Sequence, residues 1–399
     1  MTASSAPARP LEGVRVVDLT RFVSGSYAAM LLAGLGADVV KVEAEPDGDP
    51  YRSQGTAFAG GESALFQALN TGKRSIVLDL RSEAGRAQLD ALLADADVFM
   101  ENGRPDSLAG IGFDAASVRD RHPHLVYGSI SGYGQTGPDS SRGGFDLILQ
   151  AEGAIMSVTG SESSGPVKVG VPVLDIGSAI SCALGIVSAL YARGRGGTGA
   201  HVSSSLLEFA LACFTSVAPA LFVDDELPQP MGSHSPTFAP YGAFRAGNGS
   251  LVVAGAGSES LWRRFCEVLG APELLVDARF ATNADRVRHL DDLVAEVEDR
   301  LLRRDVADWL ARFAEAGVPA AQVRDLRQAI ASPQVSHLGL VRDEGEGERA
   351  YRHIGPPLRV DGPLRYPRPA PTLGEHTAEI RAGLRLLDAV PAREAGSDE

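Results

Sequence analysis

The alternation of short β-branched runs with helical stretches limits the possible folds of this chain more than any other feature of its sequence. The run "GVRVVDL" (13–19) has the pattern of a buried strand, "SGSYAAMLLAGLGA" (24–37) has helical periodicity, and "DVVKVE" (38–43) is a second strand pattern. Two strands joined by a helix form a β-α-β unit, in which the strands are parallel and the crossover is right-handed. This segment therefore predicts a parallel sheet.

The same alternation continues along the first half of the chain. Strand patterns lie at 74–80, 97–102 and 125–134, and helical patterns lie at 83–96, at the start of 145–160, at about 175–193 and at 202–222. Helices of 10–15 residues between such strands are typical of a doubly wound α/β domain. We therefore predict a large α/β domain whose N-terminal part spans residues 1–223.

The second half of the chain has a different pattern. Residues 224–242 are rich in Pro, Gly and Ser and predict a linker. In 243–335 we expect a hairpin whose turn contains Asn248-Gly249, followed by helices at about 259–270, 285–304 and 306–317. This segment predicts a smaller α+β domain. Residues 336–399 begin as a second Pro-, Gly- and charge-rich linker.

Charge and composition exclude several classes of protein. The formal net charge of −14 argues against broad contact with nucleic acid or an anionic membrane. The N-terminus has no signal-peptide segment, and the longest apolar stretch (178–192) is too short to span a bilayer. The histidines show no metal-binding spacing. We expect a cytoplasmic enzyme without a metal, whose three isolated cysteines are buried reduced thiols: Cys182, Cys213 and Cys266.

Three polar clusters suggest a site for a small anion. Ser24 follows the first strand at the start of a helix, where it is either an N-cap or part of an anion site. Asn102 and Arg104 follow another strand, and ligands of open α/β sheets bind at such strand ends. Lys73 lies on the loop before a strand. A dinucleotide site is disfavoured, because the turn "TRFVSGS" lacks the G-x-G-x-x-G spacing.

Asp175 stands out in "KVGVPVLDIGSA" (168–179), where it is the one ionisable residue after Lys168. An aspartate that starts an apolar helix is ordinarily an N-cap, which stabilises the fold by about 1 kcal/mol. An oriented and partly desolvated carboxylate can instead attack a thioester or phosphoryl centre. The residue pattern alone leaves both interpretations open.

Ordered motifs along nearly the whole chain resemble one family. They are "PLEGVRVVDLT", "GADVVKVE", "LNTGKRSIVLDL", "ADVFMENGRP", "SGYGQTGP", "GGFDLILQA", "GVPVLDIGSA", "APYGAFRAGNGSLVVA", "GVPAAQV" and "LGEHTAEI". The chain resembles the class III CoA-transferases, the CaiB/BaiF family of formyl-CoA and carnitine CoA-transferases. The resemblance implies a ring-like subunit, with the C-terminal segment returning to the large domain, and an interlocked homodimer.

The resemblance also implies a reaction and a set of site residues. Asp175 is the implied nucleophile, forming an aspartyl anhydride and then an aspartyl-CoA thioester. The substrates are an acyl-CoA and a small carboxylic acid, and no cofactor is tightly bound. The implied CoA contacts are Val23, Ser24, Asn70, Thr71, Gly72, Lys73, Asn102, Gly103, Arg104, Ser131, Gly132, Tyr133 and Gly134. Lys73 is the implied phosphate partner, and Arg52 could replace a basic residue found after the second strand in formyl-CoA transferase.

Two alternatives share the predicted fold. Racemases that resemble this family need a His where this chain has Phe145, and Phe cannot carry a proton. A 2-methylacyl-CoA racemase is therefore disfavoured. The other alternative is a protein that binds CoA without catalysis.

Overall fold

The structure, a computed structural model, describes residues 9–388. Its strands are β1 Arg15–Asp18, β2 Asp38–Glu43, β3 Phe58–Ala59, β4 Glu62–Ser63, β5 Arg74–Val77, β6 Val98–Glu101, β7 Val126–Ser131, β8 Gly160–Ser161, β9 Gly165–Pro166, β10 His201–Ser205, β11 Tyr241–Arg245, β12 Leu251–Gly255, β13 Ala320–Gln322, β14 Val341–Glu344 and β15 Tyr351–Ile354.

The helices alternate with the strands of the first half and dominate the second half. They are α1 Ser24–Gly34, α2 Ala64–Asn70, α3 Glu83–Ala94, α4 Ala115–Arg121, α5 Asp146–Glu152, α6 Val173–Gly194, α7 Leu206–Ala212, α8 Ala218–Asp224, α9 Glu259–Leu269, α10 Asn283–Arg288, α11 Leu290–Leu301, α12 Val306–Glu315, α13 Leu326–Ile330, α14 Pro333–Leu338 and α15 Thr377–Asp388.

A six-stranded parallel sheet confirms the predicted α/β fold. Its strand order is β10-β7-β6-β1-β2-β5, and every pairing in it is parallel. The chain runs outward from β1 through β2 to β5, and then returns to the other side of β1 to add β6, β7 and β10. This reversal creates a topological switch point between β1 and β6, where ligands of doubly wound sheets bind.

Both faces of this sheet are covered by helices, as its buried Val-rich strands require. Val16, Val39 and Val98 pack with α1 and α6 on one face. On the other face Val17 and Phe99 join a cluster that includes residues of α3, α4 and α15. Polar side chains are therefore left at the ends of the strands, where loops and not helices border the sheet.

The predicted helix at 202–222 was wrong in its first part. Residues 201–205 form β10, which pairs in parallel with β7 from His201 opposite Tyr127 to Ser205 opposite Ser131. The open edge of β7 offers backbone hydrogen bonds that outweigh the local helical pattern. Ser205 then caps α7 by accepting a hydrogen bond from the backbone of Glu208 at 3.1 Å.

The second compact unit contains the predicted hairpin. β11 and β12 pair antiparallel around a turn in which Gly249 has φ of +78°, and β13 extends this sheet. The apolar faces of α9, α11 and α12 cover it, with Trp262, Phe265, Val297 and Phe313 in the shared core. Cys266 lies in that core and Cys182 lies in the core of the large sheet, but Cys213 is exposed. The expectation of three buried thiols was wrong for Cys213, which directly follows α7.

Contacts group the chain into two compact units. One unit contains the chain up to Ile155, Val169–Pro219 and the chain from Gln334, and the other contains Met156–Lys168 and Ala220–Pro333. The short strands β8 and β9 thus belong with the second unit. The domain boundaries predicted from the sequence, the ring-like subunit and the interlocked dimer stay predictions.

Helix α6 is longer than the apolar stretch seen in the sequence. By length and composition it could cross a membrane, the single such helix within residues 9–388, and 39% of its most apolar window is buried. Its buried side includes Leu174, Cys182 and Ile186, which pack in the core of the large sheet. The prediction of a core helix therefore explains the apolar residues on the buried side of α6. It does not explain the apolar residues on the exposed side.

Candidate functional site

A cavity of about 390 Å³ opens at the switch point of the parallel sheet. The residues that follow β1, β2 and β6 line it, together with Leu78 and the loop after it. The sequence-predicted residues Asn102 and Gly103 lie in its wall. Arg104 lies instead in the wall of a second cavity of about 270 Å³, which adjoins the first at Glu101. The implied strand-end cluster is therefore divided between two cavities.

Asn102 fixes the shape of the first cavity. Its Oδ1 accepts a hydrogen bond from the backbone N–H of Arg21 at 2.8 Å, and its Nδ2 donates to the Arg21 carbonyl at 2.7 Å. This paired contact holds the turn after β1 against the turn after β6. The two turns that border the switch point thus move together.

The start of α1 differs from the predicted cap. Ser24 is the first helical residue, and Val23 precedes it in a helical conformation without a side-chain cap. A Cβ at Gly25 would overlap the side chain of Thr20, so glycine is required there. The prediction of Ser24 as an N-cap was wrong. The uncapped first turn leaves backbone N–H groups that favour an anion.

Lys73 has no exposed surface. Its ammonium donates to Asp18 at 2.8 Å, to Asn70 Oδ1 at 2.8 Å and to the carbonyl of Ser26 at 3.0 Å. These three contacts use all three of its protons. In this arrangement Lys73 braces the loop before β5 against β1 and α1, and no proton remains for a phosphate.

The other members of the N-x-x-K segment are also buried. Asn70 donates to the Phe66 carbonyl at 2.9 Å, and Thr71 donates to the Gln67 carbonyl at 2.9 Å and lies 2.8 Å from the Tyr351 hydroxyl. Gly72 has φ of +90°, a conformation that glycine adopts readily. The structure therefore places residues 70–73 beneath the site and not in its walls.

Arg52 is likewise committed to ion pairs. It donates to both carboxylate oxygens of Glu43, at 2.8 and 2.7 Å, and to Glu62 at 3.0 Å. Its guanidinium also lies 3.7 Å from the ring centre of Phe66. The suggestion that Arg52 supplies a free positive charge to a ligand is not supported by these contacts.

The glycine loop after β7 is held on both sides. The backbone N–H of Gly134 donates to Ser131 Oγ at 3.1 Å, and a Cβ at Gly132 would lie 3.2 Å from the Cα of Gly144. The guanidinium of Arg142 lies 4.5 Å from the ring centre of Tyr133. These contacts set the path of the loop into α5.

Asp175 is the third residue of α6 and not its cap. The capping role belongs to Asp146, the first residue of α5, whose Oδ2 accepts hydrogen bonds from the backbone N–H of Leu174 at 2.8 Å and of Asp175 at 3.3 Å. Gln150 donates to the other oxygen of Asp146 and accepts from the backbone N–H of Val169 at 2.8 Å. The Asp175 carboxylate is thereby left free of capping duty.

The protonation state of Asp175 follows from this arrangement. Burial raises the pKa of Asp175 to about 7, and the negative charge of Asp146 contributes to the increase. Near neutral pH the carboxylate and the neutral acid are therefore present in similar amounts. Among residues 9–388, no side chain donates a hydrogen bond to the Asp175 carboxyl group. The protein thus stabilises the negative charge of the Asp175 carboxylate only weakly, which leaves the carboxylate available to react.

Aromatic side chains accompany Asp175. Burial raises the pKa of Tyr51, and the nearby negative charge of Asp175 raises it further. Tyr51 meets Phe22 edge to face with ring centres 5.4 Å apart. Phe145 is exposed immediately before Asp146. This aromatic side chain stands at the position where a racemase would need a proton carrier.

The sequence reasoning missed two acidic residues of the site, Asp146 and Glu101. Asp146 follows Gly143, Gly144 and Phe145 at the start of a helical pattern, which equally fits an ordinary helix start. Glu101 precedes Asn102 and was not distinguished from a strand-end surface charge. Within residues 9–388, no group of three or more His, Cys, Asp or Glu side chains is arranged to hold a metal ion.

Comparison with known proteins identifies the family of this chain. A family model described as CoA-transferase family III matches residues 11–377. The chain is 36% identical to the succinate–glutarate CoA-transferase of Agrobacterium fabrum, over 95% of this chain and 96% of that protein. It is 35% identical to the acetyl-CoA:oxalate CoA-transferase of Acetobacter aceti, over 95% and 97%. A crystal structure of a CAIB/BAIF family protein from Brucella suis is similar at a TM-score of 0.84, with 35% identity over 95% and 100%.

Proposed function

This chain belongs to CoA-transferase family III, and from that premise we propose that it moves CoA from an acyl-CoA thioester to a carboxylic acid through covalent intermediates on Asp175. The observation that carries the proposal is the division of roles between two carboxylates. Asp146 caps α6, and the Asp175 carboxylate is partly buried, accepts no side-chain hydrogen bond from residues 9–388 and has its pKa raised to about 7. Such a carboxylate suits nucleophilic catalysis better than a structural role.

The first half of the proposed reaction transfers CoA to the enzyme. The Asp175 carboxylate attacks the thioester carbonyl carbon, the carbon–sulfur bond breaks, and CoA leaves as a thiolate, which gives a mixed anhydride. The thiolate then attacks the Asp175 carbonyl carbon of that anhydride. The donor acid leaves as a carboxylate, and Asp175 carries CoA as a thioester.

The second half reverses these steps with the acceptor. The acceptor carboxylate attacks the aspartyl thioester, which forms a new anhydride and releases the thiolate. The thiolate attacks the acceptor carbonyl carbon, which gives the new acyl-CoA and regenerates the Asp175 carboxylate. Each intermediate is sensitive to water, and the partial burial of Asp175 would limit its hydrolysis.

The proposed acceptors are short dicarboxylic acids. The relatives described above are named for succinate and glutarate in one case and for oxalate in the other. The proposed CoA contacts are the switch-point cavity, with Asn102 and Gly103, and the uncapped start of α1. We propose Lys73 as a brace beneath this site and not as a phosphate ligand, because its three protons are bonded within the protein.

A donor–acceptor screen tests the proposed function. Succinyl-CoA and acetyl-CoA are each offered with glutarate, oxalate or succinate, and the new acyl-CoA is measured by mass spectrometry. We expect exchange with at least one dicarboxylate, and only with enzyme present. CoA binding without exchange across the panel would favour a non-catalytic protein, and loss of thioester to water in place of transfer would favour a hydrolase.

We also propose a homodimer, because α6 has an apolar side that residues 9–388 leave exposed. Leu184 and Tyr191 are 67% and 68% exposed on this helix, and Ile180 lies one turn before Leu184. Exposed apolar groups at helical spacing indicate an interface. A second copy of this chain is the proposed cover. The cytoplasmic location remains a proposal of ours, which cell fractionation tests.

A charge on this side of α6 is expected to disrupt the dimer. Leu184→Glu should weaken association at least tenfold, because a carboxylate would be buried without a partner. Sedimentation velocity over a dilution series measures the change. Val276→Glu is the matched control, since Val276 is 85% exposed in the other compact unit. A monomeric wild-type protein at micromolar concentration would contradict the proposal.

A further inference from the structure

Glu101 is a buried acid that the proposed reaction does not use. It is the last residue of β6, it is 7% exposed, and it lines both cavities of the large unit. Its position at the switch point puts it directly behind Asn102 and Gly103. A buried carboxyl group at a ligand cavity requires a reason, because its charge is costly to desolvate.

The contacts of Glu101 point to control of the turn after β6. The backbone N–H of Gly103 donates to Glu101 Oε2 at 2.7 Å, a charge-assisted hydrogen bond when the carboxyl group is ionised. The hydroxyl of Ser129 also favours the ionised form of the carboxyl group. Since Asn102 is held between these contacts and the backbone of Arg21, the Glu101 carboxylate fixes both turns that border the switch point.

A second set of contacts connects Glu101 to the other cavity. Ser129 Oγ lies 2.9 Å from His201 Nε2, and His201 is exposed at the start of β10. Glu101, Ser129 and His201 all line the second cavity. The second cavity therefore gives the Glu101 carboxyl group polar neighbours on a side away from the first cavity.

The ionisation of Glu101 falls in the physiological range. Burial raises its pKa to about 7, although the N–H of Gly103 and the hydroxyl of Ser129 oppose the increase. Charged and titratable groups face it from both cavities and from α6: Arg21, Lys41, Glu43, Glu45, Asp49, Asp79, Arg81, Arg104, Asp106, Asp114, Tyr127, Cys182 and His201. Of these residue types only His ordinarily titrates near neutral pH, and burial lowers the pKa of His201.

We propose that Glu101 is a positioning residue for the acyl-CoA cavity, whose ionised carboxylate holds the Asn102–Gly103 turn. The inference rests on the proposed function, since it assigns CoA to the first cavity. Protonation of Glu101 removes the charge-assisted component of the Gly103 hydrogen bond and loosens the turn. CoA affinity therefore falls as the pH drops through the range in which Glu101 gains its proton.

Binding of CoA across pH 6.0–8.5 tests this inference independently of turnover. Titration calorimetry with CoA and with dephospho-CoA is used, because dephospho-CoA lacks the 3′-phosphate, which titrates near pH 6. For wild type we expect three- to tenfold weaker binding of both ligands at pH 6.0 than at pH 8.5. Glu101→Gln should bind weakly at every pH, because its amide resembles the protonated acid in charge and size.

Two further variants separate positioning from general damage. Ser129→Ala removes a hydrogen-bond donor to the carboxylate, so the pH midpoint of CoA binding should move upward. Glu83→Gln, an exposed change at the start of α3, should follow the wild-type curve. A wild-type affinity that does not vary with pH, or a Glu101→Gln curve that still does, would overturn the inference. Absence of CoA binding in the wild type would instead contradict the proposed function.

Discussion

Asp175→Asn is expected to abolish CoA transfer while CoA binding changes less than twofold. An amide keeps the size of the side chain and cannot form the anhydride, so the loss should be about 10⁴-fold or more in kcat. Hydroxylamine added during turnover should convert the wild-type intermediate to a hydroxamate at Asp175, detectable by peptide mass spectrometry. Near-normal exchange by the variant would contradict the covalent mechanism.

Asp146→Asn is the matched control, because it also replaces a carboxylate by an amide, at a residue next to Asp175. Loss of the Asp146 charge removes a cause of the raised pKa of Asp175. The acidic limb of the rate profile should move to lower pH, and transfer should persist at a reduced rate. If Asp146→Asn abolished transfer as fully as Asp175→Asn, the nucleophile could not be assigned to Asp175 alone.

Asp175→Asn should also stabilise the folded protein at high pH. Its folded pKa of about 7 lies above the ordinary value of 3.8, so the folded state binds more protons than the unfolded chain between these values. Stability therefore falls as the pH rises through this window. At pH 8 the cost reaches up to about 4 kcal/mol, which Asp175→Asn removes. Urea unfolding at pH 5 and pH 8 measures the gain, and a stable inactive variant excludes misfolding.

Lys73→Met is expected to lower the free energy of unfolding by about 3–5 kcal/mol. The substitution leaves the buried Asp18 carboxylate without its partner at 2.8 Å. Burial opposes the ionisation of Asp18, and in the wild type Lys73 and Lys41 overcome it and hold the pKa of Asp18 below its usual range. Urea unfolding monitored by circular dichroism gives the magnitude.

A second substitution shows whether this loss comes from the unpaired charge. Asp18→Asn combined with Lys73→Met should recover about 2 kcal/mol, because the Asp18–Lys73 pair is then removed as a whole while Lys41 keeps its partner Asp49 at 2.9 Å. Arg324→Met, at an exposed arginine, controls for the loss of one positive charge. If Lys73→Met weakened CoA binding while its stability matched that of Arg324→Met, the original prediction of a phosphate ligand would hold and the brace would not.

The sequence predicted the sheet well because its strands carry their own pattern. β2 spans residues 38–43, as the Val-rich run indicated, and β1, β5 and β6 lie within their predicted segments. β10 was missed because its polar run forms a strand only through pairing with β7, which is a tertiary effect. Local patterning therefore predicts strands that carry their own apolar run better than a strand that depends on pairing.

The site was predicted less well, for a related reason. Asp175 and Asn102 lie at the ends of elements that the sequence located, so their positions could be argued. The burial of Lys73 and the capping of α6 by Asp146 depend on contacts between distant segments. Polar residues beneath a site and polar residues in its walls are of the same residue types. Only the packing of the folded chain distinguishes them.

The cap that Asp146 places on α6 has a consequence for how enzymes of this construction can be altered. The proposed nucleophile, Asp175, lies on α6, but Asp146, which accepts hydrogen bonds from its backbone, begins α5. Exchange of residues 132–152 between relatives would therefore have to preserve the loop length that delivers Asp146, because a shift of one residue would place Leu147 or Phe145 at the start of α6.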